Sequence, residues 1–167
     1  MPDFFTGPVV CNTGPLLGLY RIRQVVLLGA MFPKVILPLE VVEELTSSSH
    51  DDVEGVRGAI SGLSLLDRPC QIDVPLLARI GRGETAVMVT ARAQNIPHVI
   101  IDERRGRHIA QLVFGLKVKG TLGILLAAKQ RGLINAVRPL IQGMMDERYY
   151  FSARLVNECL LRAGELT

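Results

Sequence analysis

The chain has 167 residues, 49% of them apolar, no tryptophan, and a formal net charge of +3 at neutral pH. That length suits one domain over residues 1–167 with a sizeable core, and no apolar run reaches the roughly 18 residues that span a bilayer. Met1-Pro2-Asp3 lacks a basic leader followed by a long apolar stretch, and the widely spaced Cys11, Cys70 and Cys159 offer neither a disulfide framework nor a zinc site, so a reducing, cytoplasmic setting is expected.

In chain order, the candidate strands are continuous apolar runs without alternation, the pattern of strands buried on both faces. Val9-Val10-Cys11 is the first. Asn12-Thr13-Gly14-Pro15 then opens a helix, with Asn12 or Thr13 as N-cap and Pro15 in the first turn. The helical region runs to about residue 31, with a break near residues 21–24. Val35-Ile36-Leu37 is the second strand, and Pro38 opens a helix expected to carry Leu39, Val42 and Leu45 on its apolar face. A polar loop follows over 46–52, then a short helix at 55–62 and a marginal strand at 63–66. Asp73 caps a further helix through residue 80, and Gly81-Arg82-Gly83 separates it from a helix over 84–94. Val99-Ile100-Ile101 is the next strand, followed by a helix to about residue 114 and the short strand Lys117-Val118-Lys119. Gly120-Thr121 starts a strongly apolar helix to residue 130, and helices near 137–145 and 152–163 finish the chain. Strands alternating with helices predict right-handed crossovers and a three-layer α/β/α sandwich around a mainly parallel sheet.

In such sheets the carboxyl ends of the strands face the ligand crevice. Asn12 and Asp102 both close strands at that edge. Glu44, with Glu43 beside it, lies on the helix after the second strand. Glu84 opens a helix on the same face as Val87, Met88 and Ala91, an unfavourable place for an unpaired carboxylate. Taken singly, Asp102 is equally well explained as an N-cap, Glu84 as a partner of the helix dipole, and one of Glu43 and Glu44 as a surface residue. Separate caps do not explain the convergence of all of them on one edge. A cluster of oxygen donors suits a hard cation such as Mg2+ or Mn2+. Arg104, Arg105 and Arg107 directly follow Asp102 and are placed to grip phosphates. Tyr149, Tyr150 and Phe151 read as core or dimer packing, Thr121 as a helix cap, and His50, His98 and His108 have no metal-like spacing.

Five motifs in this order carry a family resemblance: Asn12-Thr13-Gly14-Pro15-Leu16, Pro38-x-x-Val41-x-Glu43-Glu44-Leu45, Gly81-x-Gly83-Glu84, Ile101-Asp102-Glu103-Arg104-Arg105, and Gly120-Thr121-Leu122-Gly123. Together they resemble the PIN domain family, in the bacterial and archaeal branch related to toxin–antitoxin ribonucleases. The resemblance implies a metal-dependent ribonuclease with acidic residues around one or two Mg2+ or Mn2+ ions, RNA as substrate, a homodimer, and a cognate antitoxin protein as partner. It carries Asp102 and Glu84 onto metal-binding acids, Glu44 onto the acid of the helix after the second strand, and Thr13 onto a hydroxyl near the site. Asn12 stands where the family usually has an Asp; its amide oxygen can ligate a metal but cannot act as a base. The expected catalytic set is therefore Asn12, Glu44, Glu84 and Asp102, supported by Thr13 and Thr121 and hydrolysing RNA phosphodiesters with a metal-activated water. The alternative is a degenerate PIN fold that binds RNA or protein without efficient cleavage. A Rossmann-like small-molecule binder is disfavoured, because no glycine-rich phosphate loop follows the first strand.

Overall fold

The computed structural model describes residues 6–47, 52–71 and 80–166. Five short strands form its sheet: β1 (Val9–Cys11), β2 (Val35–Leu37), β3 (Ser64–Leu65), β4 (His98–Ile100) and β5 (Lys117–Lys119). Between and after them run α1 (Thr13–Arg21), α2 (Val26–Met31), α3 (Leu39–Leu45), α4 (Val53–Ile60), α5 (Arg82–Ala93), α6 (Arg104–Leu112), α7 (Thr121–Gln130), α8 (Arg138–Asp146) and α9 (Ala153–Arg162). The sheet order is β3-β2-β1-β4-β5, with every pairing parallel, and helices flank it to give the three-layer sandwich.

This order sets the location of the crevice. From β1 the chain steps outward to β2 and β3, then returns to lay β4 on the other side of β1 and continues to β5. The strand order thus reverses between β1 and β4, where the loops leaving the carboxyl ends diverge and open a gap. Val10 pairs with Val99 and Cys11 with Ile100, so Asn12 and the residues after Ile100 emerge side by side into that gap. Strands β1, β2 and β4 are fully buried, as their unbroken apolar runs require. At the outer edge, Lys117 and Lys119 flank Val118 in β5, a charged edge that discourages further strand pairing.

Helix α7 is buried nearly all round because β5, α1 and α9 all pack on it, which is why its sequence is apolar without a clear polar face. The break between α1 and α2 is made by Arg23 at φ 57°, whose N–H donates back to the Tyr20 carbonyl. The apolar face of α3 differs from expectation. Val41 and Leu45 are buried and Leu39 and Val42 only partly so, because the helix lies between α1 and α5 and uses an i, i+4 pair as its inner stripe. Glu40 is buried as well, its Oε1 accepting from the Cys70 N–H at 2.7 Å. The helix expected from Asp73 to residue 80 lies, but for its last residue, outside the described residues, as does His50. No helix among the described residues is long and apolar enough to cross a membrane.

Candidate active site at the switch point of the sheet

Capping separates structural from chemical duty among the polar residues of this edge. Asn12 occupies the N-cap position of α1, yet its side chain makes no capping bond. Its Nδ2 instead donates to Glu84 Oε1 at 3.0 Å. Asp102 does not cap α6; that role falls to Glu103, whose carboxylate accepts from the N–H groups of Arg105 (2.9 Å) and Gly106 (2.6 Å). Asp102 is thereby free to turn toward α7. Its Oδ1 accepts from the Thr121 N–H at 2.7 Å and its Oδ2 from Thr121 Oγ1 at 2.5 Å. Thr121 is therefore not itself the cap of α7, as expected, but a double donor to a carboxylate at the positive end of that helix.

Glu44 is no surface residue. Its Oε2 accepts from Thr13 Oγ1 at 2.6 Å and its Oε1 from the Gly83 N–H at 3.1 Å. It thus ties the start of α1 to the start of α5, the two segments that carry Asn12 and Glu84. A Cβ at Gly83 would sit 2.8 Å from Glu44 Oε2 and 3.0 Å from Asn12 Oδ1, so a larger residue there would push these side chains aside. Gly120 plays the same part opposite, where a Cβ would lie 2.6 Å from Asp102 Oδ1 and 2.8 Å from Arg107 Nη1. Glu43, by contrast, points outward and pairs with Arg82 at 2.8 Å.

A cavity of about 730 Å³ opens over this edge, lined by Asn12, Thr13, Glu84 and Asp102 together with Glu103, Glu158 and the cations Arg107, Lys119, Arg148 and Arg162. Glu44 does not line it. Of the three arginines singled out in the sequence, Arg107 alone reaches the cavity; its Nη1 donates to the Ile101 carbonyl at 2.9 Å. Arg104 and Arg105 line a neighbouring depression with His108 and Gln111, which shares Glu103 and Arg107 with the cavity. Burial, then the neighbouring Arg162 and Arg131, depresses the Lys119 pKa.

Tyr149 was missed by sequence reasoning. Its hydroxyl donates to Asp102 Oδ2. Burial first and the Asp102 charge second push its pKa above the ordinary tyrosine range, so it stays a protonated donor. The same two influences raise the buried Cys11 thiol, keeping it neutral beneath the site. The available signal for Tyr149 was the pair Gly14 and Gly18, four residues apart on one face of α1, where an aromatic ring can lie close to the helix.

The donor set is compatible with a hard divalent cation. Asn12 is 3% exposed and its Oδ1 has no hydrogen-bond partner, an arrangement that is costly unless something else satisfies the oxygen. Among the described residues, no three His, Cys, Asp or Glu side chains lie together as a metal-holding group. The Asn12 amide oxygen, which lies against Gly83, is an oxygen donor of another type at this edge.

No curated protein and no solved structure matches the chain. A family does: DUF3368, described as a PIN domain, matches residues 8–165. PIN domains are usually nucleases, which makes a hydrolase the expected class for this edge of the sheet. With that match covering nearly its whole length, the chain belongs to the PIN domain family DUF3368.

Proposed function

We propose that the chain is a metal-dependent ribonuclease that hydrolyses RNA phosphodiester bonds at the Asn12–Glu84–Asp102 edge. The observation that carries this reading is Asn12, which lines one cavity with Glu84 and Asp102, meets Glu84 through its Nδ2 and keeps a buried Oδ1 without a partner. An unsatisfied buried acceptor costs about 1–3 kcal/mol, which a cation would relieve. Asn12, Glu84 and Asp102 would hold Mg2+ or Mn2+. When bound, such an ion supplies Lewis-acid polarisation of the phosphodiester and a more acidic water. Glu44 holds Thr13 and Gly83, and so fixes the segments bearing Asn12 and Glu84. Thr121 fixes Asp102. Arg107, Lys119, Arg148 and Arg162 offer charge to the phosphates of an RNA strand in the cavity, and Arg104 and Arg105 to a flanking phosphate outside it.

One observation favours the second reading, a binding module that has lost cleavage: Asn12 Nδ2 occupies Glu84 Oε1, an oxygen that a metal centre would use. The test is incubation with structured and unstructured RNAs in Mg2+, Mn2+ or EDTA, beside Asp102→Ala and Asn12→Asp. Metal-dependent cleavage that Asp102→Ala abolishes supports the nuclease. RNA binding without cleavage, with cleavage gained in Asn12→Asp, supports the binding module. If neither metal nor RNA binds, both readings fail. The finer assignment, a cytoplasmic homodimeric toxin restrained by an antitoxin protein, rests on the likeness of the sequence motifs to that branch. Growth arrest on expression, relieved by co-expressing the product of an adjacent small reading frame, is its expected signature.

A further inference from the structure

Helix α8 ends in a left-handed turn at Arg148 (φ 65°), after which the Tyr149 N–H donates to the Met144 carbonyl at 2.9 Å. The turn lays the Tyr149 ring across α1. A Cβ at Gly18 would fall 3.3 Å from Tyr149 Cζ, and one at Gly14 would fall 3.3 Å from its hydroxyl. Phe151 packs against the ring with centroids 5.3 Å apart, tilted by 59°. The ring is thus wedged between α1 and Phe151, and its hydroxyl donates to Asp102 Oδ2, the oxygen that also accepts from Thr121 Oγ1, with the two hydroxyls close to each other. An ionised carboxylate offers about four lone-pair positions. Thr121 N–H, Thr121 Oγ1 and the Tyr149 hydroxyl take three of Asp102's, so the orientation of the carboxylate is fixed and one acceptor position remains.

We propose that Tyr149 is a positioning residue for Asp102: its hydroxyl, with Thr121, sets the carboxylate so that its one uncommitted acceptor position serves a hard divalent cation. The inference rests on the metal-dependent reading of the site and adds the α8–α9 connection to it. Outer donors of this kind hold a ligand in the geometry the ion needs, and their removal costs about 10–100-fold in metal affinity or activity.

Tyr149→Phe keeps the ring and removes only the donor. Three quantities are read for it and for wild type: the metal-free melting temperature, the Mn2+ dissociation constant by calorimetry, and kcat and KM on a single-stranded RNA. The expected result is a near-unchanged metal-free melting temperature and Mn2+ binding weaker by about 10–100-fold. At limiting Mn2+, kcat falls while KM for RNA holds. Gly14→Ala provides a second variant, because it keeps the hydroxyl but crowds it with a methyl group. Alanine is the better helix former, so metal-free stability should not fall while Mn2+ binding weakens. A lower melting temperature with unchanged Mn2+ affinity would reduce Tyr149 to a packing role and overturn the proposal. Tighter Mn2+ binding in Tyr149→Phe would also overturn it, by showing that the hydroxyl competes with the ion. If wild type binds no Mn2+, the metal-dependent reading itself falls, and this proposal with it. If wild type binds and Tyr149→Phe binds equally well, the positioning role alone is lost.

Discussion

Asn12 lies where a capping side chain is expected, and it spends its amide on Glu84 instead. That choice has an energetic consequence. An aspartate at position 12 would set a second carboxylate about where Nδ2 now stands, 3.0 Å from Glu84 Oε1, and like charges so close disfavour each other's ionised form. Asn12→Asp should therefore lose about 1–3 kcal/mol of metal-free stability. It should regain more on adding Mn2+ than wild type does, because an ion that binds only the folded state stabilises it by mass action. Thermal melting of both proteins with and without Mn2+ checks this. Gly83→Ala is expected to cost about 1–3 kcal/mol, since the added methyl meets Glu44 Oε2 at 2.8 Å and Asn12 Oδ1 at 3.0 Å; chemical denaturation reads it directly. At this scale the sequence showed where β1 and β2 end, because an apolar run that stops at a polar residue is a local pattern; β4, read as 99–101, instead spans His98–Ile100. Gly14 and Gly18 signal only that a ring can lie on α1; that the ring is Tyr149's was not legible, since its contact with Asp102 spans 47 residues and depends on how α8 meets α1.

Among the elements, the adjacent acids Asp102 and Glu103 divide two jobs that sequence alone could not assign. Either could cap a helix beginning near residue 104. The backbone decides it: Glu103 takes extended angles (φ −64°, ψ 126°) and reaches the first turn of α6, leaving Asp102 to α7. Glu103→Ala should thus cost about 1 kcal/mol of stability, as loss of an N-cap does. Mn2+ affinity should stay at the wild-type value. Urea unfolding beside calorimetry separates the two effects, and a large loss of metal affinity would contradict the division of labour. Element positions were read well where caps and breakers stood in the sequence, as at Asn12–Pro15 and Gly120–Thr121. The inner face of α3 was not, because a seven-residue helix is too short for periodicity to distinguish two neighbouring stripes.

Across the whole molecule, the strand order was the part least legible in advance. Apolar strands and intervening helices predict a parallel sheet, but the return of β4 to the side of β1 is a tertiary choice, and it creates the crevice. The C-terminal helices are tied to the rest of the fold by Glu165. Its carboxylate accepts from Lys129 Nζ (2.7 Å) and from the N–H groups of Val137 (2.7 Å) and Arg138 (2.8 Å). Burial acts to raise its pKa, but Lys129 and the two N–H donors outweigh burial and lower it from 4.5 to about 2. A depressed carboxylate pKa contributes stability above its unfolded-state value and loses that contribution as pH falls toward the folded-state value. Glu165→Gln should therefore destabilise the protein by about 1–3 kcal/mol near neutral pH. The gap from wild type should close as pH drops from 4.5 toward 2, as followed by urea unfolding across that range.

The most direct measurement of the central claim is an anomalous difference map from crystals grown with Mn2+. A peak about 2.1 Å from Asn12 Oδ1 and from carboxylate oxygens of Glu84 and Asp102 is the predicted result. A well-diffracting crystal with no peak at that edge, or with Mn2+ bound only elsewhere, would contradict it.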